Sequence, residues 1–92
     1  MSIAAYAILI HMNEIGTHTA RNVRVHRVAA DLSQVQLSER AGLAKDAVGR
    51  LERGDHSPTL VTLGKIASAL GVTAEELVAA ETTVRARKQE IK

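Results

Sequence analysis

Helix-start signals and helix-stop glycines, regularly spaced from residue 33 to residue 76, constrain this chain more than any other feature. Ser or Thr followed three residues later by Glu or Gln satisfies two orphan amides at a helix N-terminus, and a glycine just past the last turn lets the chain leave the helix. Ser33 with Gln36 and Thr73 with Glu76 are two such boxes, and Thr59, directly after the only proline, Pro58, can cap a further helix. Gly42, Gly54 and Gly71 fall where helices should stop. The spacing predicts helices over about 20–31, 34–41, 45–53, 60–70 and 74–80. Val23, Leu32, Leu37, Ala41, Leu43, Val48, Leu51, Leu60, Leu63, Ile66, Ala67, Leu70, Val72 and Leu77 recur mostly at helical spacing within them and form the expected core.

With 92 residues, most of the chain must help to bury a single core, so one small all-α domain is expected, with no room for a separate catalytic domain. The chain has no Cys, which excludes disulfides and thiolate metal sites. Phe and Trp are absent and Tyr6 is the only aromatic residue, which argues against stacking of single-stranded bases on aromatic platforms. The net charge of +2, from 12 Lys and Arg against 10 Asp and Glu, is only mildly basic.

The first residues read two ways. Ile3, Ala7 and Ile10 fit a helix face, whereas Tyr6, Ile8, Ile10 and Met12 fit an alternating strand. The apolar stretch is too short to span a bilayer and lacks the basic start of a signal peptide, so a cytoplasmic protein without a membrane partner is expected. Translation could begin at Met1 or at Met12. The organisation expected is an apolar N-terminal extension over 1–19, a helical domain over 20–80 and a charged tail over 81–92. From Thr82 to Lys92 the tail carries Arg85, Arg87, Lys88 and Lys92 against Glu90, a balance of +3. Leu77, Val84 and Ile91 lie seven apart, so a last helix continued past Ala80 would carry a narrow apolar seam.

Residues 34–53 have the form helix, short turn, helix, which lets one helix enter the major groove while the preceding helix braces it across the DNA backbone. A helix from Lys45 to Arg53 would be about 13 Å long, comparable with a groove about 12 Å wide. Lys45, Asp46, Gly49 and Arg50 share the face opposite Val48 and Leu51, so polar groups point outward while the apolar pair anchors the helix. Across about Arg21 to Ala80, LSQ at 32–34, AGL at 41–43, LERG at 51–54, PTL at 58–60 and ALGV at 69–72 coincide. With these motifs the segment resembles the phage-repressor and Cro type of helix-turn-helix, the XRE family.

The resemblance implies a compact five-helix, lambda-repressor-like fold that binds double-stranded DNA. Carried to matching positions, it places Ser33 and Gln34 at the DNA backbone with Arg53 at the far end, and Lys45, Asp46, Gly49 and Arg50 at base edges. It also pairs Arg27 with Glu52 in an internal salt bridge. The chain departs from the family pattern at three places. Ala44 stands where Ser or Thr usually caps the recognition helix, at a cost of about 0.5 to 2 kcal/mol. Gly49 inside that helix costs about 1 kcal/mol. Asp31 replaces a frequent glycine before LSQ, which predicts a different end for the first helix.

Other chemistry finds no residues. His11, His18, His26 and His56 have neither the i, i+4 spacing of a helical metal pair nor a Cys partner, and no phosphate loop or nucleophile motif is present. No catalytic residue, metal or cofactor is expected. The functional expectation is a homodimeric transcriptional regulator, most simply a repressor on a palindromic operator, as in phage repressors, restriction-modification controllers or antitoxins of this family. Leu77, Val78 and Val84 are the expected dimer contacts, with the apolar Ile3–Ile10 segment as a second contact or a cover. The alternative is an adaptor that keeps the scaffold and binds a protein partner; Asp46, Asp55 and the modest net charge leave room for it.

Overall fold

The computed structural model describes residues 2–55 and 57–80, with side chains described outside 5–17. His56, Val84 and the rest of the tail lie outside the described residues. The architecture is all-α, with α1 (Ile3–Ala29), α2 (Gln34–Arg40), α3 (Ala47–Arg53), α4 (Leu60–Leu70) and α5 (Ala74–Val78). The boxes act as their spacing predicts: Ser33 Oγ accepts from Gln36 N and Thr73 Oγ1 from Glu76 N, and Gln36 and Glu76 reach back to the two cap amides. Gly42, Gly54 and Gly71 all take the left-handed conformation that ends a helix.

The first helix differs most from expectation. Instead of starting near residue 20, α1 runs unbroken for 27 residues, so the apolar N-terminal segment is helix rather than strand and the expected boundary at 19/20 falls inside one element. Ala4, Ala5, Ala7, Leu9 and Met12 are strong helix formers, and a single Gly16 cannot stop a helix whose nucleation is already provided by a docked C-terminal half. Long as it is, no described helix is long and apolar enough to cross a membrane. The other end of α1 also differs from expectation. Asp31 adopts φ 58°, its N–H donates to Val28 O and the Leu32 N–H to Arg27 O, so aspartate closes the helix as glycine would.

The core gathers Val23, Leu37, Ala41, Val48, Leu51, Leu63, Ile66, Ala67 and Leu77, with Leu32, Leu43, Leu70 and Val72 packed at its edge. Leu60, spaced for the same face, is instead 84% exposed, because it is the first residue of α4 and the packed face begins one turn later at Leu63. Leu77 was expected at a dimer contact but is completely buried inside a single copy, so it is not available to a second one. Val78 beside it is half-buried against the same core.

Two polar ties fix α1 against the rest. At α5, the wholly buried Asn22 amide donates to Leu77 O at 3.0 Å and Ala79 O at 2.6 Å, with a longer contact to Glu76 O, and Arg21 Nη2 donates to Ala80 O at 2.9 Å. These donors satisfy carbonyls that α5, ending in extended backbone at Ala79 with no glycine, would leave open. The three carbonyls set the orientation of the Asn22 amide, and its Oδ1 is buried without a partner. At α3, Arg27 Nε donates to Glu52 Oε2 at 2.6 Å and Nη2 to Oε1 at 3.0 Å, while Nη1 reaches Leu32 O at 2.8 Å. Hydrogen bonding to Glu52 raises the Arg27 pKa above its ordinary value, against the opposing effect of burial.

Two stability outcomes follow from these ties. Asn22→Ala leaves buried carbonyls without donors and should lower urea stability by about 1 to 3 kcal/mol, whereas an unchanged urea midpoint would mean that water replaces the amide. The Arg27 and Glu52 side chains are only 13% and 5% exposed, so Arg27→Met or Glu52→Gln alone should cost about 3 kcal/mol. The double variant should cost less than the sum of the two; additive losses in thermal melts would show that the pair does not interact.

Candidate nucleic-acid interface

The candidate surface is built from α2, the turn after it and α3. α2 ends at Arg40, and Gly42 at φ 71° turns the chain while the Leu43 N–H returns to Ser38 O at 2.9 Å. Ala47 N–H donates to Ala44 O, so Lys45 and Asp46 occupy a tight turn and α3 starts at Ala47, two residues later than expected. Asp46 makes no side-chain cap. The missing cap at Ala44 is supplied from elsewhere: the fully buried Ser38 hydroxyl accepts from Val48 N at 3.1 Å and donates to Gln34 O at 2.9 Å. One α2 side chain thus satisfies an orphan donor of α3 and fixes the angle between the two helices. Ser38 carries no signal in sequence, because a buried serine in a short helix looks like any polar surface position.

Val48 and Leu51 are buried and hold α3 to the core, and Gly54 closes its far end in the left-handed conformation. On the outer side, Lys45, Asp46, Arg50 and Arg53 are exposed, together with Ser33, Gln34 and Val35 of the preceding cap and helix. Gln34, Val35, Lys45, Asp46, Gly49 and Arg53 line one open depression between α2 and α3. Arg50 faces a second, bounded by Ala44, Asp46, Ser57, Pro58 and Thr59 at the entry to α4. Asp46 borders both, so the cations Lys45 and Arg53 lie on one flank of α3 and Arg50 on the other. Arg53 Nη2 also meets Asp55 Oδ2 at 3.1 Å, an exposed pair worth about 0 to 1 kcal/mol that an anion could readily displace.

Gly49 is the exception among the residues expected on the outward face. It is buried, and a Cβ at its position would lie 3.0 Å from Gln34 Oε1, because the Gln34 side chain folds over α3 at this point. The Gln34 amide is held there by donation from Nε2 to Glu52 Oε1 at 3.1 Å. Glu52 therefore serves Arg27 and Gln34 together, a link between the ion pair and the outer surface that the sequence reading missed. Among the described residues no three His, Cys, Asp or Glu side chains gather into a group that could hold a metal ion.

Comparisons with known proteins agree with this geometry. A helix-turn-helix family model matches residues 23–77. An immunity repressor protein of Bacillus phage phi105 is 33% identical over 70 residues, which are 76% of this chain and 49% of the repressor. The chain thus spans about half the length of that relative. The control protein C.SmaI of Serratia marcescens is 41% identical over 59 residues, 64% of this chain and 70% of that one. A solved structure, a hypothetical transcription factor NHTF from Neisseria, superposes with a TM-score of 0.70 at 30% identity, covering 83% of this chain and 84% of the other. With the family match over its described core and this shared fold, the chain belongs to the XRE-type helix-turn-helix family of DNA-binding transcriptional regulators.

Proposed function

We propose that the protein is a sequence-specific regulator of transcription, a repressor in its simplest form, that binds a palindromic double-stranded operator as a homodimer. The observation that carries this reading is the exposure of Lys45, Arg50 and Arg53 around a short helix whose inner face is fully anchored. Lys45, Asp46 and Arg50 read base edges, with Asp46 able to accept from a cytosine amino group. Ser33, Gln34 and Arg53 meet phosphates, Arg53 exchanging Asp55 for the DNA backbone. Gly49, covered by Gln34, takes no base. The names of the phage immunity repressor and of the control protein C.SmaI support a regulatory role, repression in the first case.

A module this small makes few base contacts, and a second copy doubles them at half-sites about 34 to 36 Å apart. With Leu77 inside the core, the second copy is proposed to meet the N-terminal half of α1, where Ile3 is 89% exposed. Val78, half-buried on α5, remains a candidate contact, and the expected contact at Val84 lies outside the described residues.

Arg50→Ala should cost about 1 to 3 kcal/mol and relax preference at one base pair, measured on duplexes selected from a random pool. Arg53→Ala should weaken all duplexes alike and lower the salt slope by about 1. Equal losses on selected and random DNA for Arg50→Ala would remove its base-reading role, and absence of duplex binding by the unaltered protein would favour the adaptor. For the dimer, sedimentation equilibrium should give two copies for the full chain and one for a chain starting at Met12. A monomer that saturates operator with a footprint of a single half-site would overturn the palindromic model.

A further inference from the structure

We propose that Gly49 is a positioning residue: the space left by its missing side chain is what allows the Gln34 amide to lie across α3, and so sets how α2 meets the DNA backbone. The inference rests on the DNA-binding reading of this surface. Gly49 sits within α3, and its backbone is not among the positive-φ positions of the described residues, Asp31, Gly42, Gly54 and Gly71. No turn requires glycine here, and glycine inside a helix is less favourable than alanine. Space remains as the reason.

Of the two side chains beside this space, one stands too close to leave room for a methyl group. A Cβ at residue 49 would meet Gln34 Oε1 at 3.0 Å and Cδ at 3.6 Å, whereas Arg53 Nη1 at 3.5 Å is an ordinary contact that needs no shift. The tight neighbour is the far end of a flexible side chain, so the fold would survive the added methyl and the amide would move. That amide is not free to drift in the native protein, because its Nε2 donates to Glu52 Oε1, and Glu52 is itself held by two bonds from Arg27. A methyl group on α3 therefore acts on the bond between Gln34 and Glu52 and displaces the group that faces the backbone. Gly64 provides an internal comparison. It also lies within a helix, α4, but a Cβ there meets nothing within 4 Å.

The test compares Gly49→Ala, Gly64→Ala, Gln34→Ala and the Gly49→Ala/Gln34→Ala double variant of the full chain. The readouts are thermal melting, binding to a duplex selected from a random pool and to an unselected duplex, and the side-chain amide resonances of Gln34. Both glycine variants should melt at or above the unaltered protein, because alanine is the better helix former. Gly49→Ala should lose about tenfold in affinity on both duplexes, the equivalent of one hydrogen bond to a charged group, and should shift the Gln34 amide signals. Gly64→Ala should do neither. With Gln34→Ala in place, adding Gly49→Ala should change affinity by less than about twofold.

Several results would overturn the proposal: full affinity or unshifted Gln34 signals in Gly49→Ala, a lower melting temperature showing that the fold itself needs the glycine, or a tenfold loss that persists without Gln34. If the unaltered protein and Gln34→Ala bind duplex differently while Gly49→Ala binds normally, this inference fails alone. If the unaltered protein binds no duplex, the DNA reading fails and takes this role with it.

Discussion

The carboxylate of Glu52 is the point on which the candidate surface depends. It accepts two bonds from Arg27 on α1 and one from Gln34 on α2 while standing on α3 itself, so three helices meet at two oxygen atoms. The pair is nearly removed from water, where an ionised carboxylate without partners would be strongly unfavourable. The same guanidinium also reaches Leu32 O in the loop between α1 and α2. One charge-assisted cluster therefore ties the path of the loop and the position of the Gln34 amide to α3, whose angle to α2 is fixed by Ser38.

Helix α3 is seven residues long, far below what is stable alone in water, and its stability comes from what is packed around it. Val48 and Leu51 supply the apolar anchor, Ser38 supplies the cap, and Gly54 supplies the exit. Each of these acts on the inner side or at an end. The outer side is left to Lys45, Asp46, Arg50 and Arg53, whose charges need no internal partner beyond the loose contact of Arg53 with Asp55. A surface of this kind suits a partner with regularly spaced anionic groups, because rigid placement lowers the ordering cost of each contact.

Helix α1 shows where sequence patterns become silent. Among its described side chains the buried stripe is Thr19, Asn22, Val23 and His26, spaced as one helix face should be but with one apolar member there. Over 19–26 hydrophobic periodicity sees Val23 and little else, and the helical spacing of Ile3, Ala7 and Ile10 competes with the alternation of Tyr6, Ile8, Ile10 and Met12, so neither the docking face nor the unbroken length of the helix was legible. Polar residues can occupy such a face when the partner offers groups to bond, and for Asn22 these are the open carbonyls at the end of α5, 55 and 57 positions away along the chain but adjacent in space. Leu77 shows the converse: its heptad spacing with Val84 suggested a seam between copies, while the fold uses it to fill its own core.

By itself the sequence determined the local events. The Ser33 and Thr73 boxes, the Thr59 cap and the stops at Gly42, Gly54 and Gly71 depend on interactions within five residues, so each could be read from spacing and each is present in the structure. Membership of the helix-turn-helix family followed from the same local motifs. Only the tertiary structure decided that Ser38 caps α3 in place of Ala44, that Gly49 makes room for Gln34, that Asn22 closes α5 and that Leu60 is left in water. These are contacts between groups ten or more residues apart, or consequences of where one helix overhangs another. Their energies depend on distance and desolvation in three dimensions, which spacing along a chain does not encode.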